Sequence, residues 1–238
     1  MPFVSDRSRR SLIIAESNPA VVSPEQPPTR LKAIAFDLDG TLLNTLPAME
    51  ASWNAVLGPV IGRVIPSDEI VRRLGPRAID IMRLYAPPED AEALLTSLSE
   101  RFLSSALSHA RLYPRIDELI DTLIARQLVV GVVTSMRRGS AIPLLEHFGL
   151  KQHMSVIVAE DDVSRMKPDA EPVLRAAEVL GVHPRELLMV GDNPTDMHAA
   201  RAAGAVAGAA VWGFYGRKAA SDADWVFEQP YDVLKVCA

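Results

Sequence analysis

Five short apolar runs, each ending in polar or acidic residues and spaced about a helix apart, constrain this chain more than any other feature. They are LKAIAF before Asp37, LVVGVVTS at 128–135, MSVIVAED at 154–161, ELLMVGDN at 186–193 and AVAGAAV at 205–211. Each is too short for a core helix and almost continuously apolar, as a strand buried on both faces should be. Helical periodicity fills the intervals at 116–127, 139–150, 169–182 and 194–205. Strand, helix and strand in this alternation imply an α/β fold, a mostly parallel sheet with helices on both faces.

One interval breaks the rhythm. Between the first run and the second, residues 38–127 are far more than a crossover helix requires. Helical patterns at 47–58, 68–85 and 88–113 are broken by Pro59, Pro66, Pro87, Pro88 and Pro114. The economical reading is a helical insert over 46–112, a candidate lid, with the core made of 31–45 and 113–238. It would sit over the carboxyl ends of the strands, where sites of open α/β sheets collect. Residues 1–30, rich in proline and serine and without periodicity, read as a flexible N-terminal extension.

A 238-residue chain that is 48% hydrophobic and 23% charged can bury a large core. Its net charge of -5 gives no basic surface for nucleic acid, so no nucleic-acid partner is expected. Cys237 is the only cysteine, which rules out an intrachain disulfide or a cysteine-built metal site. No apolar run approaches the roughly 20 residues that span a bilayer, so no membrane partner is expected and a cytoplasmic location is the default.

The strand ends carry the chemistry. Asp37 and Asp39 follow the first run, Thr134 and Ser135 close the second, Asp161 and Asp162 the third, and Asp192 and Asp196 lie at and beyond the end of the fourth. Carboxylates brought together repel, so such a site wants a cation. Oxygen ligands without a histidine or cysteine cluster point to Mg2+ rather than zinc. Asp37 and Asp39, two apart, share one side of an extended chain, and one could attack while the other handles a proton. Gly40 and Thr41 offer a turn with exposed amides and a hydroxyl for phosphate oxygens. Lys167 could set a positive charge against nucleophile and phosphate.

FDLDGTL at 36–42, Thr134-Ser135, Lys167-Pro168 and GDNPTD at 191–196 resemble, in order, the four motifs of the haloacid dehalogenase-like hydrolase superfamily. The resemblance spans about 31–212 and implies a Rossmann-like core, an inserted helical cap and a phospho-aspartyl intermediate. It implies Asp37 as nucleophile, Asp39 as acid/base, Thr134 as a phosphoryl hydrogen-bond partner and Lys167 as the charge that orients Asp37. Magnesium would be held by Asp37, the main-chain carbonyl of Asp39 and Asp192, with Asp196 a second acidic group near the ion or Lys167. Where relatives commonly have Asp-Ser this chain has Asn44-Thr45, and Ser135-Met136 replaces an asparagine and a basic residue. Asp39 itself argues against carbon–halogen cleavage, because dehalogenases of the superfamily lack it.

NTLPAMEASWNAVLG, VRRLGPRAIDIM and VGDNPTDMHAARAAGAVAGAAVWGF resemble the phosphoglycolate phosphatase-like branch. That implies a phosphoric monoester hydrolase acting on a small phosphate ester, with phosphoglycolate as best guess. A sugar phosphomutase and a pyrophosphatase are alternatives within the superfamily, and a non-catalytic binding module is the alternative outside it. A phosphonate hydrolase would need an amine in the insert, which has no lysine from 46 through 112. Arg77, after Gly75-Pro76, is the preferred substrate contact of the insert, and Ser135 a further one. Arg72 and Arg73 read as the basic face of a helix, and Trp53 and Phe102 as buried helix positions. Trp212 reads as packing, Gly213 as a turn, and the five histidines show no metal spacing.

Overall fold

Ala33–Phe36 (β1) is wholly buried and paired on both sides, so its place at the centre of the sheet follows from its four apolar side chains. In this computed structural model, which describes residues 30–237, β1 runs parallel to Val129–Val133 (β4) and to Leu187–Gly191 (β6). Ile34 stands level with Val130 on one flank and with Leu188 on the other. Val156–Val158 (β5) extends the sheet beyond β4; Val206–Ala210 (β7) and Trp225–Phe227 (β8) extend it beyond β6. The order β5-β4-β1-β6-β7-β8 is parallel throughout and reverses at β1, the switch point at which such sheets hold ligands. The extension read over 1–30 lies, Arg30 apart, outside the described residues.

The side-chain alternation of β1 sorts two cores. Ile34 and Phe36 pack with Ile116–Ala125 (α6) and Arg138–His147 (α7) on one face. Ala33 and Ala35 pack with Glu171–Leu180 (α8) and Pro194–Ala203 (α9) on the other. Alanines dominate the second face, with Ala199, Ala200 and Ala203 of α9 over Ala207 and Ala209 of β7, so the backbones approach closely.

The long interval is helical, with a third core of its own. Leu46–Val56 (α1), Gly58–Ile61 (α2), Ser67–Arg73 (α3), Ala78–Met82 (α4) and Pro88–His109 (α5) bury Trp53, Ile65, Ile70, Met82 and Leu98 together. The periodicity over 68–85 is split into α3 and α4, because Gly75 adopts φ +120° and Pro76 removes an amide. The last helix stops at His109, short of the expected 113. Arg111–Leu112 (β3) instead pairs antiparallel with Leu43–Asn44 (β2), tying the exit of the segment to its entry. Strand β8 has only the three apolar residues WVF to announce it, and Trp225 and Val226 are 50% and 43% exposed at the sheet edge.

Two aromatic residues join the helical segment to the sheet. After β7 the chain turns through Gly213, and Phe214 packs against the third core. The Tyr215 hydroxyl lies 2.8 Å from the Val71 carbonyl and 3.0 Å from that of Leu74.

Candidate active site

Because the sheet is parallel, the residues following β1, β4 and β6 emerge on one edge. The Asp37 amide donates to the Val190 carbonyl at 2.8 Å and the Thr134 amide to that of Val158 at 2.9 Å, so both side chains start from fixed backbone. Asp37, Thr134, Lys167, Asp192 and Asp196 are all buried, and Asp39 is half-buried.

Lys167 organises the floor. Its Nζ lies 2.8 Å from Asp37 Oδ1 and donates to the Val133 carbonyl at 3.0 Å. It also lies 2.6 Å from Asp196 Oδ1, although off the hydrogen-bond direction, so that oxygen keeps no hydrogen-bond partner. Burial alone would lower the ammonium pKa; the adjacent Asp196 and Asp37 charges outweigh it and hold the pKa above its usual value. Asp196 is placed by its other oxygen, which accepts the Asn193 amide at 3.0 Å in the first turn of α9.

One cation does not balance the carboxylates. Burial raises the Asp37 pKa to about 7 against the pull of Lys167, and the Asp39 pKa to about 6. Burial, followed by the charges of Asp37 and Asp196, pushes Asp192 well above the usual carboxylate range. Asp37, Asp192 and Asp196 each offer an oxygen within 4.8 Å of the others. A hard divalent cation fits this donor set: three buried carboxylates whose oxygens converge and whose charge one lysine does not balance. The carboxyl group expected beside Asp37 and Asp192 in secondary standing, Asp196, is thus the third member of the cluster.

Two glycines are close-approach positions. A Cβ on Gly40, which has φ +81°, would fall 2.4 Å from Asp192 Oδ2. Gly213 does more than make the expected turn, because its role is also steric: a Cβ there would lie 2.2 Å from the Gly40 carbonyl oxygen and 2.3 Å from Asp192 Cβ. The next amide, of Phe214, donates to Asp192 Oδ2 at 2.6 Å.

The cavity above this floor has a volume of about 200 Å³ and reaches between sheet edge and helical segment. Asp37, Asp39, Thr134, Ser135, Lys167 and Asp192 all lie on its wall. Thr134 Oγ1 accepts the Met136 amide at 3.0 Å, which orients its hydroxyl. Gly40 and Thr41, expected at the phosphate, are not on that wall: Thr41 is wholly buried with its hydroxyl unpartnered, and its carbonyl accepts the Trp212 indole N–H at 3.0 Å. Arg77 is also off the wall, 58% exposed with its Nε 3.5 Å from Glu160 Oε1. Arg72 pairs with Asp68 on the surface, and Arg73 lies over the Tyr85 ring.

Several participants escaped the sequence reading. The Thr45 hydroxyl donates to Asp39 Oδ1 at 2.5 Å; its signal was a hydroxyl just beyond the turn that Gly40 begins. Glu160, not Asp161 or Asp162, faces the cavity; Asp161 accepts the Arg138 amide and Asp162 pairs with the Arg138 guanidinium. Trp53 and Phe102 do pack within the helical segment, and they also line the cavity.

Known proteins place this geometry. The sequence profile of the haloacid dehalogenase-like hydrolases matches residues 34–210. A phosphoglycolate phosphatase from Chromobacterium violaceum is 33% identical over 192 residues, 77% of this chain and 86% of that one. An N-acetylmuramic acid 6-phosphate phosphatase from Pseudomonas putida is 31% identical over 217 residues, 87% of this chain and 96% of that one. The crystal structure of a predicted phosphoglycolate phosphatase from Haemophilus somnus superposes with a TM-score of 0.77 at 26% identity, covering 88% of this chain and 99% of its own. Buried aspartates at the ends of parallel strands, a lysine between them and a profile match through all but the last strand converge: the chain belongs to the haloacid dehalogenase-like hydrolase family, as an enzyme of its phosphatase kind.

Proposed function

We propose that this protein is a magnesium-dependent phosphatase that hydrolyses a small phosphate monoester through an aspartyl-phosphate on Asp37. The observation that carries the reading is Lys167 Nζ lying between Asp37 and Asp196 on the floor of a cavity whose mouth is covered by the helical segment, here read as a cap.

In the first step an Asp37 oxygen attacks phosphorus in line, the bond from phosphorus to the ester oxygen breaks, and the Asp39 carboxyl gives its proton to the departing alkoxide. In the second, ionised Asp39 takes a proton from water, the hydroxide formed attacks phosphorus, and the bond to Asp37 breaks to release inorganic phosphate. An acid that titrates near 6 can hold and return a proton at neutral pH, which suits Asp39 to both steps. Thr45 keeps the Asp39 carboxyl aimed, Lys167 orients Asp37 and balances phosphoryl charge, and Thr134 and Ser135 offer hydroxyls to the phosphoryl oxygens. Asp37 and Asp192, with the Asp39 main-chain carbonyl and with Asp196 close by, would hold Mg2+, which when bound lowers the repulsion between nucleophile and dianionic substrate.

Phosphoglycolate is supported by the sequence resemblance and by the names of relatives; a sugar phosphate is supported by the name of the Pseudomonas relative. Steady-state phosphate release with Mg2+, with chelator and with Asp37→Asn tests the mechanism. Turnover that both controls abolish is expected; an Asp37→Asn protein with ordinary rates sinks the aspartyl-phosphate.

A further inference from the structure

Beyond the phosphate position the cavity has two distinct kinds of wall. Trp53, Leu74, Ile81 and Phe102 of the helical segment, with Met136 and Phe214 from the sheet edge, make a broad apolar surface. Among the described residues, the cations on the wall are Lys167, already engaged by Asp37 and Asp196, and Arg137. Away from the aspartates of the floor, the carboxyl group on the wall is that of Glu160, 8% exposed at the end of β5 and held there by its amide, which donates to the Met136 carbonyl at 3.0 Å. Burial raises the Glu160 pKa, against the pull of Arg77, whose Nε lies 3.5 Å from Oε1, and of Arg137.

This wall is matched to some leaving groups and opposed to others. Phosphoglycolate carries its carboxylate two bonds from the ester oxygen, so that charge cannot reach far from the phosphate. It would be desolvated against apolar side chains or set against Glu160, and the arginines that could compensate already face that carboxylate. A ring-shaped polyol meets the same wall differently. Its C–H face covers the aromatic and aliphatic surface, while a hydroxyl or amide N–H donates to an acceptor that has lone pairs to spare.

We propose that Glu160 is a specificity-determining residue that disfavours a carboxylate next to the phosphate and selects phosphate esters of ring-sized polyols, of which a hexose 6-phosphate is the type. This rests on the phosphatase reading above and names the ester that site takes. A site built to pair a substrate donor discriminates strongly against an analogue that lacks it, whereas the apolar wall by itself tolerates many shapes.

The test is kcat/KM for phosphoglycolate and for glucose 6-phosphate and N-acetylglucosamine 6-phosphate, with Mg2+, in the wild-type protein, Glu160→Gln, Phe102→Ala and Asp37→Asn. The wild type is expected to favour at least one hexose phosphate over phosphoglycolate by about tenfold or more. Glu160→Gln is expected to close that ratio by about tenfold, chiefly through a lower KM for phosphoglycolate. Phe102→Ala should raise KM for the hexose phosphate and leave that for phosphoglycolate in place, which examines the apolar wall should Glu160→Gln compromise folding. A wild-type preference for phosphoglycolate, or a ratio that Glu160→Gln leaves unmoved, overturns the inference while leaving the phosphatase intact. Absence of turnover with every ester, equal to Asp37→Asn, removes the phosphatase reading and this inference together.

Discussion

Gly213→Ala adds one methyl group at the most crowded point of the site. The new Cβ would lie 2.2 Å from the Gly40 carbonyl oxygen, 2.3 Å from Asp192 Cβ and 2.6 Å from Asp192 Oδ2, where ordinary contacts between carbon atoms begin near about 3.5 Å. Two of these atoms belong to a carboxylate side chain packed between Gly40 and Gly213, and the third to backbone that itself carries a positive φ, so no flexible tip can swing clear. Overpacking of this kind costs about 1–3 kcal/mol. Displacing Asp192 also strains the 2.6 Å bond from the Phe214 amide, a hydrogen bond worth about 0.5–1.5 kcal/mol. The expected loss is therefore about 2–4 kcal/mol in urea unfolding, together with a higher magnesium concentration for half-maximal activity. Gly139→Ala is the control, since it lies in α7 with nothing within 4 Å of its added Cβ, and should gain about 0.5–1 kcal/mol. A Gly213→Ala protein within about 1 kcal/mol of wild type and with unchanged magnesium dependence would refute the close-approach argument.

The surplus of buried carboxylates predicts an unusual pH dependence for the metal-free protein. Asp39 and Asp37 bind protons more tightly when folded, with pKa values of about 6 and about 7 against an ordinary 3.8, so their contribution is complete below 3.8 and is lost as pH rises through 6 and 7. Asp39 alone amounts to roughly 3 kcal/mol, so in chelator the urea midpoint should fall between about pH 4 and pH 7 and magnesium should restore it; a midpoint that rises over that range in chelator is the contrary result. Thr45→Val keeps the volume but removes the hydroxyl that holds the Asp39 pKa down. It should lower kcat about tenfold and move the Asp39 limb of the pH–rate profile to higher pH, and an unmoved limb would show that the bond does not tune the acid.

Much of the site was legible because a parallel sheet makes sequence order into spatial order. Once 31–36, 128–133 and 186–191 are read as adjacent parallel strands, the residues following them must share an edge, and Asp37, Thr134 and Asp192 come together without further information. Lys167 is harder, because it lies in no strand; its motif resemblance placed it, and its three contacts show why that position is occupied by a long cation. The helical nature of the long interval was equally legible, since proline breaks and 3.6-residue periodicity are local properties.

What remained hidden depends on distances between segments far apart in the chain. Asp161 and Asp162 looked more eligible than Glu160 because acidity was visible and direction was not; the turn after β5 points the first residue inward and gives the other two to Arg138. Arg77 looked like an anion contact until the fold set it beside Glu160, and Thr41 like a phosphate contact until the fold buried it. Trp53 and Phe102 satisfy helical periodicity whether they fill a core or face a cavity, since one apolar face serves both. The strand ends and their aspartates were thus determined by the local pattern of the chain. The character of the wall opposite them was decided only by tertiary structure, because it is made where helices from one interval meet loops from four others.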